Sequence, residues 1–255
     1  VKIYFIGAGP GDPELITVRG RRLLASADVV VYAGSLVDPA QLEWARPDAA
    51  VYDSSSMALN EMVALYEELR DRPGHIARLH TGDPSLFGAT QEQIDACLEL
   101  GMEVEVVPGV SSAFAAAAAI RRELTIPGLS QAVIFARAPG RTPVPQGQSP
   151  KDLAAHGATM ALYLSAAQLD QLIEDLLPSY GEDCPVRLVH RASWPDQSML
   201  ASRLGSLRDE LARSGVSFGG QLMVLVGPAL EPGRYEHSKL YDAGFTHGYR
   251  EGSGV

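Results

Sequence analysis

The sequence predicts an α/β protein built as two successive units, and three observations carry that prediction. Short β-prone runs alternate with helix-like segments, the alternation restarts after Pro108 and Gly109, and glycine-bearing loops follow several of the strands. The first unit opens with KIYFI at 2–6, a mostly apolar run that reads as a buried strand ahead of a glycine-proline loop. DVVVY at 28–32, AVY at 50–52, HIARLH at 75–80 and MEVEVV at 102–107 are further apolar or β-branched runs that read as strands. Helix-like segments lie at 39–45, 58–70 and 91–100, and this alternation implies a largely parallel sheet. A small-residue helix at 111–121 opens the second unit, and its alanine run at 115–119 reads as a tightly packed helix. Strands are expected at 131–136, 159–164, 186–190 and 222–226, with helices near 169–177 and 204–213. The Pro- and Gly-rich residues 139–150 read as a surface loop, and from residue 232 the periodicity fades into a tail packed on the surface. The expected domains are therefore 1–109 and 110–231, with 232–255 as the tail.

Composition narrows the class. At 255 residues, 46% apolar and 20% charged, the chain is an ordinary globular protein with room for one large domain or two modest ones. No apolar run approaches the ~20 residues of a membrane span, and the apolar start is too short for a signal segment, so a soluble, cytoplasmic protein without membrane partners is expected. Cys97 and Cys184 have no C-x-x-C or histidine spacing around them, so both read as reduced, inert thiols. A formal charge of −10 argues against nucleic acid, whose binding rests on a basic stripe. The six histidines show no paired spacing on a helix, and no metal is expected.

The first loop, GAGPGDPELIT, is the most informative stretch. Gly7, Gly9 and Gly11 lack the Cβ atoms that would keep a ligand from the backbone. The pattern is not a dinucleotide fingerprint, because Asp12 stands where the third glycine belongs and Pro10 and Pro13 remove backbone donors. A plain strand-to-helix turn, with Asp12 capping a helix that Pro13 begins, explains the loop equally well. Three more loops share its character: HTGDPSLFG at 80–88, VVPGVSSAFAAAA at 106–118 and ARAPGRTP at 136–143. Ser111 and Ser112 stand at a helix start, where either suits a cap, and Arg137 and Arg141 flank a turn.

In order and spacing these loops resemble the tetrapyrrole methyltransferases, over residues 2–230. VYAGSLV at 31–37, PGRTP at 139–143, ATMALYLS at 158–165 and SKLYDAGFTH at 238–247 further resemble the cobalamin-pathway branch that methylates precorrin-4 at ring carbon 11. Where members of that branch carry threonine ahead of R-x-x-G-R-T-P, this chain has Ala136. The resemblance implies a class III S-adenosylmethionine-dependent methyltransferase with two α/β domains and an active site in the cleft between them. It also implies a homodimer.

Carried over position by position, the resemblance puts the methyl donor against Pro10, Thr81, Gly82, Asp83, Leu86, Ser111 and Ser112, with Leu164 and Ala192 as weaker transfers. Asp83 also suits a helix cap or turn. A sulfonium donor needs carbonyls, amides and a carboxylate more than basic side chains. The acceptor, precorrin-4, is strongly anionic, so a net-acidic chain must concentrate basic groups locally. Arg137 and Arg141 are the first candidates, followed by His80 and by Arg19, Arg22, Arg121 and Arg122, each of which is otherwise a solvated surface charge. No residue declares itself as a catalytic acid or base. The alternatives are the same methylation on cobalt-precorrin-4, another superfamily methyltransferase acting on ribosomal RNA or on a translation elongation factor, and a non-catalytic or nicotinamide-binding α/β protein.

Overall fold

The computed structural model describes residues 1–140, 142–215, 218–231, 233 and 235–253. The chain forms two compact units, one of Val1–Ala116 with Arg191–Gln197 and one of Ala117–His190 with Ser198–Val255.

The first unit contains β1 (Lys2–Gly7), α1 (Val18–Ala25), β2 (Val29–Tyr32), β3 (Ala50–Asp53), α2 (Leu59–Leu69), β4 (His75–His80), α3 (Thr90–Glu99) and β5 (Glu103–Val107). All strand pairs in its sheet are parallel, in the order β3-β2-β4-β1-β5. Side chains alternate across the strands. Ile3, Phe5, Val29, Val31 and Ile76 pack against Met62, Leu65, Tyr66 and Leu69 of α2 and Cys97 of α3. Ile6, Val30, Ala77 and Leu79 join a separate cluster with Ile16 and with Leu24 of α1. Burial on both faces explains why the central strands read as continuous apolar runs.

Arg78 is the exception, a 5% exposed arginine in a central strand. Its Nε donates to Gln93 Oε1 at 3.0 Å and its Nη1 to Ser54 Oγ at 2.9 Å, while Tyr66 donates its hydroxyl to the same Gln93 oxygen at 2.9 Å. Burial holds the guanidinium below its ordinary pKa and raises the Tyr66 hydroxyl. This network ties α2 and α3 to the sheet through satisfied polar groups.

Two local readings change. The helix expected at 39–45 is a 3-10 helix, Pro39–Trp44, which ends in extended backbone at Ala45, two residues before Pro47. Helix α1 escaped the pattern because VRGRRLLA is dominated by exposed basic residues; Thr17 Oγ caps it by accepting from Gly20 N–H at 3.1 Å.

Helix α4 (Ser112–Ala119) follows β5, with Ala113 and Ala116 fully buried. The second unit contains β6 (Val133–Arg137), α5 (Pro150–Ala154), β7 (Thr159–Tyr163), α6 (Leu169–Tyr180), β8 (Pro185–His190), β9 (Ser198–Arg203), α7 (Leu207–Ser214) and β10 (Leu222–Val226). Its sheet runs β6-β7-β10-β8-β9 and is mixed: β6 and β7 are parallel and the remaining pairs antiparallel. The core holds Met160, Leu162, Leu172, Leu176, Val186, Leu188 and Val224. Strand β9 carries no apolar run, because at the sheet edge its burial alternates with exposure. Cys97 and Cys184 are buried free thiols, and burial pushes them up to about 12 and about 11. Among the described residues no helix is long and apolar enough to cross a membrane.

Candidate functional site

Strands β4, β1 and β5 are adjacent and parallel, so the loops that follow them share one edge of the sheet. Ligands of open α/β sheets bind at this carboxyl edge. The loops meet there at backbone distance. Gly9 and Gly82 form an antiparallel bridge, with Gly82 N–H donating to Gly9 O at 2.7 Å and Gly9 N–H to Gly82 O at 3.3 Å. A Cβ on Gly7 would lie 2.4 Å from Gly109 Cα, and one on Gly109 would lie 2.2 Å from Gly82 O. Gly7 and Gly109 therefore make room for each other's backbone. The expectation that the first loop's glycines clear space for a ligand is corrected for Gly7, and also for Gly9, whose Cβ would meet Leu15 O at 2.9 Å.

Asp83 staples two of the loops. Its Oδ2 accepts from Gly109 N–H and its Oδ1 from Ser85 N–H, each at 2.8 Å. Turn carboxylate is thus one established role of this residue. Ser111 precedes α4 and its Oγ accepts from Ala113 N–H at 3.3 Å, while Asp12 Oδ1 caps the short 3-10 helix Pro13–Leu15 by accepting from Glu14 N–H. Gly82, at φ +63°, is the glycine with space, since a Cβ there would meet nothing nearer than 3.7 Å, at Ser111 Cα and Ser112 N. Thr81, Gly82, Asp83, Ser111 and Ser112 are thereby brought together.

Pro10 and Ala192 join them through Arg191–Gln197, a segment that follows β8 in the chain but belongs to the first unit. Trp194 Nε1–H donates to Pro10 O at 2.9 Å, and Asp12 N–H donates to Ser193 Oγ at 3.0 Å. Ala192 is buried beside them. Trp194 and Ser193 were not singled out from the sequence; the one available signal was that Trp194 is one of only two tryptophans. Leu86 is half-buried in the β4 loop. A separate cleft of about 550 Å³, lined by Pro84, Phe87, Ala89, Ile94 and Val106 among others, holds none of the predicted donor residues.

Leu164 and the arginine loop lie in the second unit. Leu164 is 58% exposed at φ +53°, an unusual combination for an apolar side chain. The loops after β6 and β7 are tied by Ala138 N–H donating to Ser165 Oγ at 3.1 Å. The Arg137 guanidinium donates to Thr142 O at 3.1 Å and Pro143 O at 2.7 Å, which shapes the loop that carries Arg141. Arg141 itself lies outside the described residues. Arg19 is ion-paired with Glu105, while Arg22, Arg121 and Arg122 are exposed.

His80 requires a correction. Its imidazole is 6% exposed beside Phe5, with the ring centroids 5.7 Å apart. Burial, reinforced by Arg78, lowers its pKa to about 3. A neutral buried ring supplies no charge to an anionic substrate. Next to it, Thr90 donates its hydroxyl to Pro84 O at 2.7 Å and so steadies the β4 loop from beneath.

Two outcomes follow from this packing. Gly109→Ala is expected to lose about 3 kcal/mol of stability in urea unfolding, because its new methyl meets rigid backbone on two sides. The His80 imidazole titrates near 6.5 when unfolded and at about 3 when folded, so the unfolded chain binds the extra proton between those values. The contribution is complete above pH 6.5 and is lost as pH falls through the window. Unfolding midpoints at pH 7 and pH 5 are expected to differ more for the parent than for His80→Gln.

The family model for tetrapyrrole (corrin/porphyrin) methylases matches residues 2–208. The precorrin-4 C(11)-methyltransferase of Pseudomonas aeruginosa is 45% identical over 98% of this chain and 99% of its own length. The X-ray structure of a cobalamin biosynthetic enzyme, cobalt precorrin-4 methyltransferase, superposes with a TM-score of 0.86 at 44% identity, covering 91% of this chain and 96% of that one. The uroporphyrin-III C-methyltransferase of Thermus thermophilus, solved with S-adenosylhomocysteine, superposes at 0.72 with 28% identity over 90% and 93%. With an α/β fold of two sheets, glycine loops joined at one sheet edge and these full-length similarities, the chain belongs to the tetrapyrrole methylases.

Proposed function

We propose that this chain transfers the methyl group of S-adenosylmethionine to ring carbon 11 of precorrin-4, yielding precorrin-5 and S-adenosylhomocysteine, in the cytoplasmic synthesis of cobalamin. The observation that carries this reading is near full-length identity, 45% and 44%, to proteins named for methylation of precorrin-4 and of its cobalt form. On this reading the donor meets Pro10, Thr81, Gly82, Asp83, Leu86, Ser111, Ser112 and Ala192, with Leu164 the remaining residue taken over from the family.

The residues suit such a donor. Thr81, Ser111 and Ser112 bring hydroxyls, and the surrounding loops bring backbone groups, of the kind such a donor uses. When bound, S-adenosylmethionine supplies an electrophilic methyl group. The chain's task is to hold the reacting carbon about 3–3.5 Å from that methyl and to keep water out. Proton transfer plays little part in such a displacement, and no side chain is assigned as acid or base. Arg137 holds the loop of Arg141, and both arginines are taken as contacts for the acceptor's carboxylates.

The cobalt-loaded acceptor is supported almost equally, since the two named forms differ by one percentage point in identity to this chain. We also take the chain to be a homodimer, by family resemblance; light scattering at micromolar concentration is expected to give twice the chain mass.

Incubation with methyl-labelled S-adenosylmethionine and precorrin-4 is expected to give a product one methyl heavier, labelled at ring carbon 11 by NMR. Competition between metal-free and cobalt-loaded acceptors separates the two forms, and transfer to neither overturns the proposal. Arg141→Ala is expected to raise the acceptor KM in a salt-dependent way, equivalent to about 1.5–3 kcal/mol for a lost charged hydrogen bond. An effect on stability alone would return Arg141 to the solvated surface.

A further inference from the structure

The first glycine loop is held by a segment far away in sequence. Trp194 reaches Pro10 O across 184 residues and Ser193 reaches the Asp12 amide across 181. The contact is close enough to dictate residue type, because a Cβ on Gly11 would lie 2.2 Å from the indole Cδ1. The segment is itself preset for this contact. Arg191 lies over the Trp194 ring at 4.0 Å and pairs with Asp196 at 2.7 Å, and Ser193 N–H donates to Gln197 Oε1 at 2.8 Å. Arg191 and Ser193 adopt left-handed backbone at φ +49° and +70°, a conformation that non-glycine residues keep only where the surroundings enforce it.

We propose that Trp194 and Ser193 are positioning residues for the methyl donor: they brace Pro10, Gly11 and Asp12 in the form that binds it. The inference rests on the donor reading given above and adds to it a residue pair outside the glycine loops. Pro10 has no amide hydrogen, its carbonyl is engaged by the indole, and the Asp12 amide is engaged by the serine. Without these contacts, what holds the loop among the described residues is the Gly9 bridge at one end and the 3-10 helix at the other. The donor would then have to order the loop as it binds, which lowers apparent affinity.

The test is S-adenosylhomocysteine binding by calorimetry, which requires no acceptor. Trp194→Phe keeps a ring against Gly11 and removes the N–H, so the dissociation constant is expected to rise about tenfold, the loss typical when a buried carbonyl is left without its donor. The acceptor KM at saturating donor is expected to stay within about twofold, a split that general destabilisation does not produce. Ser193→Ala, a smaller change that keeps the fold if the tryptophan variant does not, is expected to weaken donor binding about threefold or more. In a Trp44→Phe background, Trp194 is the sole tryptophan. Its emission is expected to change on adding S-adenosylhomocysteine and to titrate with the calorimetric constant. Unchanged donor affinity in the folded variants, with silent Trp194 emission, overturns the brace while leaving the methyltransferase reading intact. Absence of S-adenosylhomocysteine binding by the parent chain removes the donor reading, and the brace with it.

Discussion

Three stretches of backbone press together where Gly7, Gly82 and Gly109 meet, and the geometry of the first unit's loops depends on that approach. Parallel strands β4, β1 and β5 deliver the three loops to one edge, but strand geometry alone leaves them free to splay. With no Cβ between them the peptides close to contact. The Gly9–Gly82 bridge then extends the sheet's hydrogen bonding past the end of the strands, and Asp83 locks the third loop by accepting from Gly109 N–H. Each of these groups satisfies a polar atom that would otherwise be buried without a partner.

Strain gathers around the same region. Phe87, Ala89, Arg191 and Ser193 all take left-handed backbone without being glycine, and all lie in the β4 loop or in the Arg191–Gln197 segment. Such conformations persist only where packing and hydrogen bonds determine them several times over. Thr90 on Pro84 O and Trp194 on Pro10 O supply those additional constraints. Each loop is thus held by several independent contacts.

Electrostatically, the first unit's edge is quieter than its sequence suggests. Arg78 and His80 lie on the strand leading into the β4 loop, yet one is consumed by a buried network and the other is held neutral. Backbone amides and hydroxyls remain there beside the carboxylates of Asp12 and Asp83, both of which accept from backbone N–H groups. In the second unit the Arg137 guanidinium is likewise engaged, donating to Thr142 O and Pro143 O and so shaping the backbone of its own loop.

Much of this was legible from residue order. The apolar runs of β1, β2 and β10 announced themselves because strands buried on both faces have no polar alternation to confuse them. Strand β9 and helix α1 did not, since an edge strand and a basic surface helix carry too little apolar signal. The glycine loops were found as motifs, but a motif cannot say whether a glycine faces a ligand or another peptide. By itself the sequence determined the α/β class, the loops that matter and the family, because those rest on local pattern and spacing. Only the tertiary structure decided that Gly7 and Gly109 serve each other, that His80 is buried and neutral, and that Trp194 reaches Pro10. Each is a contact between residues far apart in the chain, where burial and distance, not composition, set the chemistry.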